Sequence, residues 1–367
     1  MSHPNQPLFS SYQLGDLELK NRVIMSSLTR ARATNKELAP TSLMATYYAQ
    51  RASAGLIISE STWVSAKAIG FVHVPGIFTP TQVEGWKEVT KAVHANGGKI
   101  FLQMSHSGAA SHPDFFEGDI PRGPSAINPQ LTTYTPTGPK DTVTPIAFTK
   151  EEIKQTIDDF EQAAFNAVVA GFDGVELHAQ IFALIPQFLS MATNQRTDEY
   201  GGSIENRARL LFEILDTLKQ VWDSKRIGVK FTPTAFNPGI LQPDEHTIPM
   251  FQYILEKLNE YDLGYLHLVG PATDLTGTAI EQMQDIYFRQ ARDVYKGTLM
   301  ANRGFTGETG NKIITDDHAD LVSFGMDFIA NPDLVKRLAN NLPLAKPDTT
   351  TFYAGDEKGY TDYPYLS

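Results

Sequence analysis

Short apolar runs alternate along this chain with longer stretches whose apolar residues recur every three or four positions. Runs of the first kind read as strands of a parallel sheet covered on both faces. They are VIMSSL (23–28), LIISES (56–61), KIFLQMS (99–105), GVELHA (174–179), IGVKFT (227–232), YLHLVG (265–270), GTLMAN (297–302) and LVSFGM (321–326). The stretches between them read as helices. QVEGWKEVTKAVHANG (82–97) sets Val83, Trp86, Val89 and Val93 near one face and stops at Gly97. The segment 149–171 opens with Thr149 and Glu152 at capping-box spacing and ends at Gly171. A further helix is expected from about Ile204, and Asn331-Pro332-Asp333 fits the opening of a last one.

Eight β-then-helix units predict a parallel sheet, and eight is the number that closes a (β/α)8 TIM barrel. An open doubly wound sheet is the alternative. It would carry a glycine-rich turn after its first strand, and MSSLTRARA (25–33) has no glycine, which favours the barrel. The whole chain, 1–367, then forms one barrel domain. SYQLGDLEL (11–19) predicts a hairpin turning at Gly15-Asp16, placed to close the barrel's bottom. Residues 108–148, rich in Pro, Thr and Gly, interrupt the rhythm after the third strand. That is too long for an ordinary connection and predicts a lid-like capping insertion. The aromatic C-terminal tail, 351–367, reads as either an interface or a docked segment, and a monomer and a homodimer stay equally open.

Composition narrows the partners. The net charge of −11 argues against nucleic acid and anionic membranes, which need clustered Lys and Arg. No apolar run reaches the ~20 residues that span a bilayer, and MSHPNQPLFS lacks the basic and apolar regions of a secretion signal. The absence of cysteine removes disulfides, thiolate metal sites, iron–sulfur clusters and a cysteine nucleophile. A cytoplasmic enzyme acting on a small molecule is the expectation.

In such a barrel the chemistry sits at the C-terminal ends of the strands. Those ends hold Thr29, Glu60, Gln103 with His106, His178, Lys230, His267, Asn302 with Arg303, and Gly325. The set donates hydrogen bonds and carries positive charge. It has no paired carboxylates for glycoside cleavage and no oxygen cage for a divalent metal. His106 and His112 are too weakly spaced to argue for a metal. A histidine at a strand end is as often a structural hydrogen-bonder as a catalyst. Gln103 within an apolar strand needs a partner, either a polar ligand or a backbone carbonyl. Lys230 after the apolar IGV has two chemical uses, pairing with a ligand's negative charge or forming a Schiff base.

LKNRVIMSSLTRARA (19–33), YYAQRASAGLIISEST (47–62), the 75–108 segment, FGMDFIANPDL (324–334), GYTDYP (359–364) and above all NQRTDEYGGSIENRAR (194–209) resemble the Old Yellow Enzyme family along nearly the whole chain. Members are FMN-binding barrels that take electrons from NAD(P)H and reduce activated alkenes or nitro compounds. The resemblance implies that Thr29 and Gln103 bind the flavin ring, with Ser26, Ser27, Leu28 and Ser61 against it. It places Lys230 where the family has an arginine beside the flavin's pyrimidine edge. Asn302, Arg303, Gly325 and Met326 fall at the phosphate end. Met326 stands where the family has an arginine, and Arg303 is the candidate replacement for the missing charge. His178 would hold the electrophilic substrate with Phe71 nearby. Ile181 stands where the family has a second His or Asn donor, and Ala183 where it has a tyrosine acid. The substrate pocket is therefore expected to be more apolar, with solvent supplying the proton. Two rival readings of the same residues are a barrel that has lost flavin chemistry and a Schiff-base lyase built on Lys230.

Overall fold

The computed structural model describes residues 6–233, 240, 242–271 and 274–366; residues 1–5 of the N-terminal stretch read above and Ser367 of the tail lie outside it. An antiparallel hairpin, β1 (Tyr12–Leu14) and β2 (Leu17–Leu19), precedes the barrel and turns at Gly15-Asp16 as expected. The first barrel strands are β3 (Val23–Met25), β4 (Leu56–Trp63) and β5 (Ile100–Ser105). Four short strands follow within the insertion: β6 (Arg122–Gly123), β7 (Thr132–Thr135), β8 (Gly138–Asp141) and β9 (Ile146–Ala147). The barrel resumes with β10 (Gly174–Ala179), β11 (Ile227–Phe231), β12 (Tyr265–Val269), β13 (Leu299–Asn302) and β14 (Leu321–Phe324). The eight barrel strands pair in parallel, in chain order, and β14 closes on β3.

The principal helices are α1 (Ser42–Gln50), α2 (Pro80–Ala95), α3 (Lys150–Val169), α4 (Leu184–Leu189), α5 (Ile204–Val221), α6 (Thr247–Leu258), α7 (Tyr287–Val294), α8 (Gly307–Thr315), α9 (Met326–Ala330) and α10 (Leu334–Ala339). Local chemistry sets where they start. Thr149 and Glu152 form the expected capping box on α3. Helix α2 begins earlier than its apolar period suggests, because Thr79 and Gln82 form a second box and Pro80 supplies the preset φ of a first helical residue. Strand β3 is shorter than the run 23–28. The ladder ends with the Ser26 N–H, which meets the Phe324 carbonyl at 3.0 Å, and Ser27 to Thr29 continue as a loop at the barrel mouth.

Leu14, Leu17 and Leu19 of the hairpin pack with Ile24, Leu56, Phe101, Tyr265 and Leu321, the inward residues near the N-terminal strand ends. The hairpin thus plugs the bottom. Gly228 makes this layer possible, since a Cβ there would lie 2.2 Å from the Tyr265 ring. The chemistry is left to the opposite end. There the β7–β8 hairpin is tied to the loop after β4 by the Val72 N–H, which donates to the Tyr134 carbonyl at 2.9 Å. No helix among the described residues is long and apolar enough to cross a membrane.

Candidate active site

Strand β4 carries an irregularity that sets the site. Ile58 pairs with Phe101, but Ser61, three residues on, pairs with Gln103, two residues on. The extra residue is a bulge, which re-aims the side chains that follow. Ser61 Oγ donates to Gln103 Oε1 at 3.0 Å, and Ser59 Oγ accepts the Gln103 N–H at 3.0 Å. Glu60 turns the other way, and its carboxylate accepts the N–H groups of Arg30 and Ala31 at 3.2 and 3.1 Å. Glu60 therefore belongs to the β3 loop and not to the barrel mouth.

Glu176 and His178 lie two residues apart on β10 and so share one face. His178 stands in register with Lys230, and Lys230 with His267. Above them opens a cavity of about 340 Å³ walled by Thr29, Ser61, Phe71, His178 and Ala183. The structure adds walls that sequence reading missed: Trp63, Ser105, Tyr134 and Tyr353. Phe71 is flanked by the rings of Tyr134 from the insertion and Tyr353 from the tail, at 5.3 and 5.4 Å between centroids. Ser105 Oγ lies 2.9 Å from His178 Nδ1 and Ser61 Oγ 3.4 Å from it. With Ser105 donating to Nδ1, the imidazole proton sits on Nε2, which has no protein partner among the described residues.

Burial, reinforced by the Lys230 cation, lowers the His178 pKa to about 3. The imidazole is a neutral hydrogen-bond donor across the working range. A flat contribution of His178 to the pH–kcat/KM profile is expected between pH 5 and 8, where an ordinary histidine titrates; an inflection removed by His178→Asn would contradict this. The sign for stability follows. Between pH 3 and 6.5 the unfolded chain binds a proton here that the folded chain does not, so this histidine erodes stability as pH falls through that window.

Behind the cavity runs a buried polar chain. Gln103 Nε2 donates to Glu176 Oε1 at 2.7 Å and to Ser27 Oγ at 2.8 Å. Glu176 Oε2 meets His267 Nδ1 at 2.8 Å, and His267 Nε2 meets Ser323 Oγ at 2.7 Å. Asn302 Nδ2 closes the chain on the same Ser323 Oγ at 2.7 Å. Lys230 Nζ donates to Ser26 and Ser27 at 3.1 and 2.9 Å, and burial lowers its pKa while Glu176 opposes that shift. The carboxylate at 176 has an available signal in the sequence, a charge amid the apolar residues of GVELHA.

This donor set suits a flavin ring. Thr29 and Ser61 wall the cavity with hydroxyls, and behind them Gln103 and Lys230 hold Ser61, Ser26 and Ser27 with an amide and a cation, polar groups of the kind a pyrimidine-type edge exchanges hydrogen bonds with. At the other end, Leu28 lies over Gly325, where a Cβ would sit 3.3 Å from Leu28 Cδ2. Arg303, on the loop after β13, and Met326, which opens α9 directly after β14, are both exposed. Arg303 holds φ at 117°, a backbone region that normally calls for glycine.

Besides Glu60, three placements differ from expectation. Ile181 does not wall the cavity of His178; it borders a separate groove with Phe231 and Met250 at a strained φ of 40°. His267 is fully buried within the polar chain and not at the mouth. Lys230 is likewise buried beneath Ser26 and Ser27 and does not wall the cavity. His106 and His112 each accept a backbone N–H on Nδ1, from Gly108 and Asp114 respectively.

The sequence profile of the NADH:flavin oxidoreductase / NADH oxidase family matches residues 7–345. The chain is 39% identical over 366 residues to 12-oxophytodienoate reductase 1 of Oryza sativa subsp. japonica, covering 98% of this chain and 93% of that protein. The solved structure of morphinone reductase in complex with tetrahydroNAD superposes with a TM-score of 0.91 at 42% identity, covering 98% of both chains. The Old Yellow Enzyme homologue from Zymomonas mobilis gives a TM-score of 0.91 at 38% identity, over 98% of this chain and 99% of that one. With a barrel mouth that fits a flavin ring and relatives aligned along their full length, this chain belongs to the NADH:flavin oxidoreductase / NADH oxidase family and is an FMN-dependent oxidoreductase of the ene-reductase type, drawing its electrons from NAD(P)H.

Proposed function

We propose that the cavity above the polar chain receives a largely apolar conjugated carbonyl or nitro compound, held through one of its oxygens by His178. The observation that carries this reading is the neutral His178, its Nδ1 held by Ser105 and its Nε2 directed at a cavity walled mainly by apolar and aromatic side chains. FMN, when bound there, would supply hydride transfer between a nicotinamide and an electron-poor carbon of the substrate. Gln103, Thr29 and Lys230 hold the pyrimidine edge, with Ser26, Ser27, Leu28 and Ser61 against the ring. Lys230 keeps positive charge near that edge without the fork of an arginine.

His178 polarises the substrate oxygen by donating from Nε2. Ser105 fixes the ring so that this donor does not swing away. Ala183 contributes no acid, and the cavity has room for the water that supplies the proton. Phe71, Tyr134 and Tyr353 form its outer wall, with the 108–148 insertion acting as the cap. A Schiff base at Lys230 gains no support from an amine buried away from the cavity. The test uses flavin-loaded protein. NAD(P)H should bleach it anaerobically and 2-cyclohexenone should restore the colour. His178→Ala should lower kcat/KM for the enone by about 10²-fold, the scale for losing one oxyanion donor; an unchanged value would remove His178 from the reaction.

Arg303 supplies the phosphate charge that Met326 lacks, from the neighbouring strand end. Phosphate sits at these two loops in barrels of this type. Its φ makes the role separable from stability. Arg303→Gly should relieve backbone strain and stabilise the flavin-free protein by about 1 kcal/mol. The same change should weaken FMN binding by roughly 10- to 100-fold through loss of a charged hydrogen bond. Unfolding curves and FMN titration read the two effects independently. Full FMN affinity in Arg303→Gly would sink the phosphate role.

A further inference from the structure

The loop after β5 runs between two cavities. Ser105, Ser107 and Ala110 wall the active cavity, while His106 walls a second cleft of about 230 Å³ on the other side of the loop. This cleft lies between the insertion and α3, and nothing in the proposed reaction uses it. Its apolar walls are Phe116, Ile120 and Phe148. The His106 ring meets Phe148 edge-on, with centroids 6.2 Å apart.

His106 is only 3% exposed, yet one of its nitrogens is uncommitted. Nδ1 accepts the Gly108 N–H at 2.9 Å, so the neutral ring carries its proton on Nε2. Nε2 has no hydrogen-bond partner among the described residues. It is also absent from the polar atoms sealed in protein without a partner, and so opens on the cleft that His106 borders. Burial holds the His106 pKa near 3, which keeps this donor neutral.

The charges around the rim cancel in pairs. Arg122 Nε binds Glu152 at 2.8 Å and Lys67 binds Asp119 at 2.8 Å. Asp159 remains as surplus negative charge, taking a hydrogen bond from Gln155 Nε2 at 3.0 Å. An anion is therefore disfavoured. The volume corresponds to about eight waters at ~30 Å³ each, and apolar cavities of ~150 Å³ already take up benzene.

We propose that this cleft is a second small-molecule site, taking an uncharged single-ring aromatic compound whose carbonyl oxygen accepts the His106 Nε2–H while its ring lies against Phe116, Ile120 and Phe148. One buried donor selects one acceptor, and three apolar side chains select the ring.

The probe is 4-fluorobenzamide, followed by fluorine NMR on the flavin-loaded protein. Saturable binding is expected that survives His178→Ala, a change confined to the active cavity. Gln155→Trp, made in the His178→Ala background so that the active cavity does not hold the probe, places a large ring at the cleft from the exposed surface of α3 and should abolish binding. His106→Phe keeps the volume but removes the donor, and should weaken binding about tenfold. The proposal is overturned if the probe does not saturate, if its binding disappears with His178→Ala alone, or if it survives in the His178→Ala, Gln155→Trp double variant. Because Gln155 is exposed, that variant decides the matter even if His106→Phe does not fold.

Discussion

Glu176→Leu is expected to lower the unfolding free energy by about 3–5 kcal/mol, the range for removing one partner of a buried charge pair. Glu176 is fully buried inside the barrel. Burial alone would push its carboxyl up, but His267, the Lys230 cation and the Gln103 hydrogen bond together hold it below the usual carboxylate range. Leucine leaves the Gln103 amide and the His267 Nδ1 without their acceptor and leaves Lys230 as an uncompensated buried cation. Lys230 then sheds its proton, since a lone ammonium in a dry interior costs far more than a neutral amine. The variant should lose flavin affinity along with stability, because the proposed flavin site relies on Gln103 and Lys230. Glu176→Gln keeps the shape and the acceptor for Gln103, so its loss should be smaller. Urea unfolding of the three proteins checks this. A Glu176→Leu protein within 1 kcal/mol of the parent would show that the polar chain carries little charge.

The second large effect lies in the C-terminal tail. Tyr360→Ala should cost about 3–5 kcal/mol, as for other fully buried aromatic truncations. The Tyr360 ring stacks on Tyr47 with centroids 4.0 Å apart, and the Arg30 and Arg32 guanidiniums lie 5.2 and 4.9 Å from its centre. The tail also satisfies these buried cations. Arg30 Nη2 donates to the Gly359 carbonyl at 2.7 Å, and Arg32 Nη2 to that of Thr351 at 2.8 Å. Truncating Tyr360 disturbs those carbonyls as well as the packing. Tyr360→Phe supplies the internal control. The Tyr360 hydroxyl is buried without a partner, so removing it should be neutral or slightly stabilising. A large loss in Tyr360→Phe would contradict this account. Tyr353 is on the same tail and walls the active cavity, so Tyr360→Ala should also raise KM for bulky substrates.

The tail shows how far sequence reading reaches. GYTDYP marks the family, yet nothing in it reveals which side chains it covers. Arginine is mostly an exposed residue, but Arg30, Arg32 and Arg51 are almost fully buried, because tail and loop carbonyls come to them from more than 270 positions away. Glu60 and Ser61 give a second case. Alternation along a regular strand predicts their faces, but the bulge between Ile58 and Ser61 resets it, sending Glu60 to the Arg30 loop and Ser61 to Gln103. Ser105, a serine ending an apolar run, carries no signal of its own. Its role exists only through the approach of His178 on the adjacent strand.

The sequence by itself determined the barrel, the hairpin at its bottom, the capped start of α3, a helix from about Ile204, and the identities of His178, Gln103, Thr29 and Lys230 as groups at strand ends. These follow from local periodicity, capping and strand–helix alternation, which act over a few residues. Only the tertiary structure decided which of those groups meet. Closing the barrel set Glu176 between Gln103 and His267, buried Lys230 beneath Ser26 and Ser27, turned Ile181 away from the cavity and brought Tyr134 and Tyr353 together on Phe71. The physical reason is that contacts across a barrel join residues far apart in the chain, and their geometry depends on strand register, bulges and loop conformations that no local pattern encodes.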